Sequence, residues 1–201
     1  NFPSTAGWTT NGVGSVASDT YSSVGTYDPI YIYQEVPCIS GHKYYFCSNM
    51  ALVWATGTPS LRVYIQGTGV GGITTTPYSN SSPVSNIFYK VSFIQQATAS
   101  GILRYNFIST DSTTASRTLK AQYALCIDLT TLYGAGSEPT QVEMDKYLAQ
   151  KFANSYFDGT VEFAILADIT GNKASVIKAT NCLKGTNFDA TTYWGTVNGA
   201  L

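Results

Sequence analysis

Apolar and polar residues alternate with period two along most of the first 130 residues. This is the period of a strand with one buried face. PIYIYQEV (29–36) sets Ile30 and Ile32 against Tyr31, Tyr33 and Glu35. HKYYFCSNMALVW (42–54) puts Tyr44, Phe46, Met50 and Leu52 on one face. LRVYIQ (61–66) divides into Leu61, Val63 and Ile65 against Arg62, Tyr64 and Gln66. NIFYKVSFI (86–94) groups Ile87, Tyr89, Val91 and Phe93, and GILRYNFIS (101–109) follows a TASG turn. RTLKAQYALCIDL (117–129) lines up Leu119, Tyr123, Leu125, Ile127 and Leu129. Clusters of Gly, Pro, Ser, Thr and Asn separate these runs.

Short strands with turn signals and no helices between them predict a mostly β fold, an antiparallel β-sandwich of jelly-roll type over 1–131. The pattern then changes. GAGSEPTQVEMDKYLAQKF is the one convincing helix, within a segment 132–160 that packs on the sandwich. Ser137 is a candidate N-cap, Pro139 suits a first turn, and Thr140 with Glu143 spells a capping box. Met144, Tyr147, Leu148, Lys151 and Phe152 mark one face, and SYFDGT (155–160) ends the helix in a turn. Residues 161–186 read as a connecting strand or arm.

Residues 187–201 echo the start of the chain. It opens NFPSTAGWTTNGV and closes NFDATTYWGTVNGAL. Asn1-Phe2 stands before Trp8 at the spacing of Asn187-Phe188 before Trp194, and an Asn-Gly follows each Trp. The closing segment reads as the first strand of a second copy of the module. A lone strand cannot bury its apolar face, so it needs another chain, the first domain or further polypeptide.

Composition narrows the functional classes. Charged residues are 11% and net charge is −1, with no basic run, so the electrostatic footprint of a phosphate-backbone binder is missing. The apolar run FAILADI is too short for a helical membrane span. Aromatics are 13%, led by 15 tyrosines, which suggests a surface rich in hydroxyls, amides and rings. Cys38, Cys47, Cys126 and Cys182 form no CxxC pair, so a zinc site is disfavoured. A hairpin turn at Ser40-Gly41 would pair Cys38 near Lys43 and not with Cys47, which favours four free, mostly buried thiols and assembly in a reducing cytosol. The opening residues lack an initiator Met and a leader pattern, as expected of a mature product or a piece of a longer polypeptide.

Catalytic signals are weak. His42 is the single histidine and reads as a turn residue, which disfavours Ser-His-Asp and Cys-His chemistry. GTGVGG (67–72) matches a dinucleotide spacing, but ITTTPYSNSSP follows and starts no helix, so it reads as a flexible loop. Strand-region acids are sparse, and Glu35 alone lies in a clear strand, which disfavours a glycosidase pair. The NSS sequon at Asn80 matches by pattern only.

The aromatic positions are more informative. Trp8 and Trp194 read as packing residues. Tyr31 and Tyr33 share a face with Glu35, and Arg62, Tyr64 and Gln66 form another. Rings beside guanidinium and amide donors suit sugars, whose C–H faces stack while hydroxyls hydrogen-bond. The same residues also suit subunit packing or a solvated sheet face. Trp54, at a strand end before GTPS, is the leading exposed stacking candidate.

Residues 127–160 resemble a segment of bacteriophage and prophage tail proteins with the form D-L-T-x-[LM]-[FY]-G-x-G-x-E-P-T, a short helix and a [YW]-F-x-G turn. The matching residues are Asp128, Leu129, Thr130, Leu132, Tyr133, Gly134, Gly136, Glu138, Pro139 and Thr140, then Phe157, Asp158 and Gly159. In that family the segment commonly follows a jelly roll similar to a carbohydrate-binding module, and the NF…GW opening and the GHKYYFCSNM and YNFIST strands are similar to it. The resemblance implies a place in the virion tail, as tip, baseplate or fibre. It implies partners among tail proteins and other copies of the chain, and attachment to bacterial cell-surface glycan more often than catalysis. It also allows a structural calcium ion, with Asp19, Asp28 and Asp128 as candidate ligands. The expected function is therefore a non-catalytic receptor-binding tail protein, without nucleic-acid binding or membrane insertion. A purely architectural tail module, or the accessory module of a glycoside hydrolase or lysin, is the alternative.

Overall fold

A computed structural model describes residues 8–17, 20–26, 28–111, 116–157, 160–164 and 176–183. Asp19, Asp158, Gly159 and all of 187–201 lie outside the described residues, as does most of the 161–186 arm. Ten strands form two five-stranded sheets, each pairing antiparallel. They are β1 (Thr9–Thr10), β2 (Val13–Ala17), β3 (Thr20–Gly25), β4 (Ile30–Cys38), β5 (Lys43–Trp54), β6 (Ser60–Gln66), β7 (Thr75–Asn80), β8 (Tyr89–Gln96), β9 (Gly101–Thr110) and β10 (Arg117–Asp128). The first sheet has the order β1-β4-β9-β6-β7 and the second β2-β3-β10-β5-β8. From β3 to β10 the chain alternates between sheets except at the β6–β7 hairpin. That order, β3-β10-β5-β8 against β4-β9-β6-β7, is a jelly roll, as the strand pattern predicts. Strands β1 and β2 extend it along one border.

The alternating residues make the core. Ile30, Ile32, Leu61, Val63, Ile65, Leu103 and Phe107 point inward from the first sheet and are fully buried. Phe46, Met50, Leu52 and Leu119 do so from the second. Phe46, Phe93, Tyr105 and Phe107 cluster with ring centroids 4.7–5.8 Å apart, Phe46 stacked on Phe93 and the other pairs tilted or edge-on, and the Tyr105 hydroxyl bonds Ser48 Oγ at 2.7 Å. Each such ring removed from water stabilises the fold by about 1.5–3 kcal/mol.

Several local expectations need correction. Ser40-Gly41 is not a hairpin turn, because β4 and β5 lie in different sheets and the turn carries the chain between them. The GTGVGG segment is not a flexible loop. It is a packed 3-10 turn (Thr68–Val70) with Gly69 and Val70 buried, and Gly69 O accepts from Thr98 N at 2.8 Å. A Cβ on Gly69 would lie 2.3 Å from Cys38 Sγ, so the spacing serves packing, not phosphate binding. Ile87 is half exposed and precedes β8.

The largest correction is in β10. Its pairing with β5 shifts by one residue between Gln122 and Leu125, a β-bulge with Tyr123 at φ 51°. One extra residue exchanges the faces. Leu119 and Ala121 face the sandwich, but beyond the bulge Ala124 and Cys126 do, while Leu125 and Ile127 face outward.

That outward patch is where the helices sit. A single turn, α1 (Leu129–Tyr133), is capped by Asp128, which accepts from Thr131 N at 2.9 Å. Helix α2 (Gln141–Lys151) starts at Thr140 with the capping box to Glu143. Ser137 is therefore not the cap, and Pro139 stands just outside the helix. Met144 and Leu148 pack with Tyr45, Cys47, Leu125 and Ile127. Asp145 fixes the helix by accepting from Tyr45 OH (2.6 Å) and Ser92 Oγ (2.9 Å).

After α2, β11 (Thr160–Ala164) pairs with β12 (Val176–Thr180), and Asn181 docks the chain on the bulge. Its Oδ1 accepts from Cys126 N (3.0 Å) and Leu183 N (3.1 Å), and its Nδ2 donates to Ala124 O (3.3 Å) and Phe157 O (3.4 Å).

Candidate functional site

Helix α2 covers outer surface of the second sheet, whereas no described helix covers the outer surface of the first. The residues that alternate against the core stand there in three rows across β4, β9 and β6. Tyr31, Ile108 and Arg62 are paired in register, as are Tyr33, Asn106 and Tyr64, and Glu35, Arg104 and Gln66. Strand spacing places Tyr33 and Tyr64 about 10 Å apart across Asn106. Five of the six sugar candidates therefore share one face.

The face is ordered by its own contacts. The Arg104 guanidinium lies 4.4 Å over the Tyr33 ring and holds Glu35 Oε1 through Nε (3.0 Å) and Nη2 (2.5 Å). Tyr31 and Tyr33 have centroids 5.8 Å apart. Arg62 Nη1 donates to Tyr64 OH at 3.0 Å. Asn106 Nδ2 donates to Gln66 Oε1 at 3.2 Å, and Gln66 Nε2 to Thr74 Oγ1 at 2.9 Å. These bonds fix rotamers before any ligand arrives, which lowers the entropy cost of binding. Rings, two guanidiniums and the Gln66 amide can hold a polyhydroxylated ligand by stacking and hydrogen bonds, while Asn106, 3% exposed, steadies Gln66 from beneath. Glu35, the carboxylate of the three rows, is already paired with Arg104.

Trp54 does not join this face. It ends β5 in the second sheet, keeps the inward parity of Leu52 and is half-buried against the core. The turn signal after it suggested exposure, but strand parity decides the side. Arg104 and Asn106 were missed, although the alternation of Leu103, Tyr105 and Phe107 leaves them on the outward phase.

The calcium candidates are separate. Asp28 accepts from Asp111 N (2.9 Å) and Arg117 Nη2 (3.0 Å). Asp128 bonds His42 Nδ1 (2.9 Å) and the N–H of Thr131. Burial works against its charge, but the Thr131 N–H and His42 outweigh that and hold the carboxyl below its usual range. Among the described residues no group of three or more His, Cys, Asp or Glu is placed to hold a metal ion. His42 therefore orients a helix cap at a turn.

A cavity of about 700 Å³ lies on the helical side, between Tyr133, Pro139, Met144 and Tyr147. It has two carboxylates: Glu143 is held in the capping box by Thr140, and Glu138 is committed to Thr130 Oγ1 (2.7 Å), Gly136 N (2.9 Å) and Lys43 Nζ (3.2 Å). Its bonds, the Thr130 hydroxyl first, draw Glu138 down to about 2. Thr130 and Glu138 thus bind the helical layer to Lys43 at the start of β5, Asp128 binds His42 beside it, and Thr140 caps α2, which leaves little unpaired chemistry for a ligand.

The sequence matches no protein-family model and no curated protein. Among solved structures, the chain is similar to a family 4 carbohydrate-binding module at 13% identity, covering 60% of this chain and 94% of that one with TM-score 0.45. It is similar to the CBM22-1 xylan-binding domain of Paenibacillus barcinonensis Xyn10C at 11% identity, covering 60% and 84% with TM-score 0.45. It is also similar to infectious bursal disease virus, Gt strain, at 10% identity, covering 59% and 31% with TM-score 0.40.

Proposed function

We propose that this chain is a non-catalytic bacteriophage tail module that attaches to bacterial cell-surface glycan through the outer face of its first sheet. The observation that carries this reading is the pre-ordered face of Tyr31, Tyr33 and Tyr64 with Arg62, Arg104 and Gln66, steadied by buried Asn106. A flat platform of rings and planar donors suits a polymer lying across strands. The tail setting rests on the motif from Asp128 to Thr140, whose resemblance supports a position on the virion among tail proteins and other copies. Several weak sites on one particle would reinforce one another by about 10²–10⁴ over a single site.

The test is a glycan array or cell-wall pull-down with wild type, Tyr33→Ala, Tyr64→Ala and Trp54→Ala. The two face variants are expected to lose at least about tenfold in retention, near 1.4 kcal/mol per site. Trp54→Ala is expected to retain binding if its fold holds. Retention unchanged in both face variants overturns the reading. The self-satisfied bonding of the face also fits subunit packing. A chain that binds no polysaccharide and protects Tyr33 inside an oligomer is the architectural module instead.

A further inference from the structure

The outer face of the first sheet holds two arginines in different electrostatic surroundings. Arg104 is bonded twice to Glu35 Oε1, so that pair is neutral as a unit. Arg117, elsewhere in the fold, is buried and paired with Asp28. Arg62 meets no carboxylate among the described residues. Its Nη1 donates to Tyr64 OH at 3.0 Å, its Nε is shielded from solvent without an acceptor, and its Nη2 has no acceptor among the described residues. Glu35 stands two rows away, about 13 Å along the strands and about 10 Å across them. That exceeds the screening length of about 8 Å in physiological salt.

The groups around Arg62 are donors as well. Tyr64 OH accepts from Arg62 through one lone pair and keeps its own proton for an outside acceptor. Ser79 on β7 pairs with Arg62 in register, so its exposed hydroxyl stands on the same face about 5 Å away. Ile108, 6% exposed, floors the space between Arg62 and Tyr31. This corner therefore offers a charge, a phenol proton and a hydroxyl, over an apolar floor and in the same row as the Tyr31 ring. A neutral sugar laid there would strip water from the guanidinium and return no charge, whereas an anion returns charge-assisted hydrogen bonds. The chain's net charge of −1 supplies no broad positive field, so the preference is local to this corner.

We infer that the glycan bound by this face carries an anionic group, a carboxylate or a phosphate, which sits on Arg62 Nη2, Tyr64 OH and Ser79 Oγ while an adjoining sugar ring lies against Tyr31 and Tyr33. The inference rests on the reading of the face as a glycan platform and adds the charge of the ligand. The opposite end of the platform, where Glu35 and Arg104 neutralise each other, takes uncharged sugar hydroxyls. Binding is then selective for acidic polymers through one corner alone.

The test measures retention of the full chain on isolated bacterial cell wall, with wild type, Tyr33→Ala, Arg62→Gln and Ser79→Ala. The wall is used untreated, with its carboxyls reduced to alcohols by carbodiimide and borohydride, and with its phosphodiesters removed by hydrofluoric acid. Arg62→Gln removes the charge and keeps a planar amide donor. It is expected to weaken retention on untreated wall about 10- to 100-fold, the factor for hydrogen bonds to a charged group, and Ser79→Ala about threefold. Wild type is expected to lose retention on one treated wall: carboxyl reduction identifies a carboxylate, and hydrofluoric acid a phosphate. Retention that needs Tyr33 yet survives both treatments, or an Arg62→Gln variant within about twofold of wild type, overturns the anion and leaves the glycan platform standing. Wild type that is not retained, or retention indifferent to Tyr33→Ala, ends the platform and the anion together. An Arg62→Gln variant that turns an oligomer into monomers and binds wall as before would give Arg62 to an acidic group of a second copy, which also overturns the inference. Should Arg62→Gln fail to fold, the two treated walls decide with the wild type alone.

Discussion

Asn181→Ala tests whether the residues after β12 belong to the sandwich. The side chain is 6% exposed and serves four backbone groups, two N–H donors at 3.0 and 3.1 Å and two carbonyls at 3.3 and 3.4 Å. Counting about 1 kcal/mol for each shorter bond and half that for each longer one gives about 3 kcal/mol. For a chain of this length that corresponds to a Tm lower by about 6–12 °C. Circular dichroism melts measure it, and hydrogen exchange locates it, because the amides of Cys126 and Leu183 should lose protection ahead of Leu52 and Phe107. Asn181→Asp keeps the acceptor, removes both donors and brings charge into a buried site, so it should do at least as badly. A Tm drop below about 3 °C, or unchanged exchange at Cys126, would refute the assignment of the bulge's stability to this side chain.

Three further outcomes follow from the geometry. Arg104→Ala removes a half-exposed ion pair and a cation–π contact, so stability should fall by only about 1 kcal/mol in a urea melt while glycan retention falls at least tenfold. Glu138 is depressed from 4.5 to about 2, and a depressed carboxylate stabilises above its ordinary pKa and loses that contribution as pH falls toward the folded value. Acid titration of the wild type should therefore lose stability between about pH 4.5 and 2, and Glu138→Gln should flatten that part of the curve. Burial raises the Cys38 and Cys126 thiols and pushes Cys47 up to about 11, whereas a hydrogen bond with the Cys126 thiol lowers half-buried Cys182. A thiol reagent near pH 8 should label Cys182 first, and the other three at the rate of unfolding.

Much of the sandwich was legible because one buried face imposes strict alternation. Ile30 and Ile32, or Leu61, Val63 and Ile65, leave no second assignment, and their opposite phases delivered Tyr31, Tyr33, Arg62, Tyr64 and Gln66 to one surface. The capping box at Thr140 and Glu143 was legible for the same local reason. What failed was non-local. Trp54 was judged by the turn that follows it, but the strand's parity turns it to the core. Leu125 and Ile127 were grouped with Leu119 because nothing in AQYAL announces an inserted residue; Tyr123 takes positive φ without being a glycine. Ser40-Gly41 looked like a hairpin because sequence does not say which sheet the next strand joins. Asn181 carried no pattern at all, since its partners are backbone atoms far along the chain.

The bulge in β10 also sets which genetic changes the fold tolerates. Upstream and downstream of Tyr123 the strand is in opposite phase, so deleting one residue there would turn Leu125 and Ile127 into the sandwich and push Ala124 and Cys126 toward the helices. Two interiors would be mispacked by a single lost codon, although no residue in either had been substituted. Over this stretch, length is held more tightly than identity, and a homologue that dropped the extra residue would have to rebuild its helical layer as well.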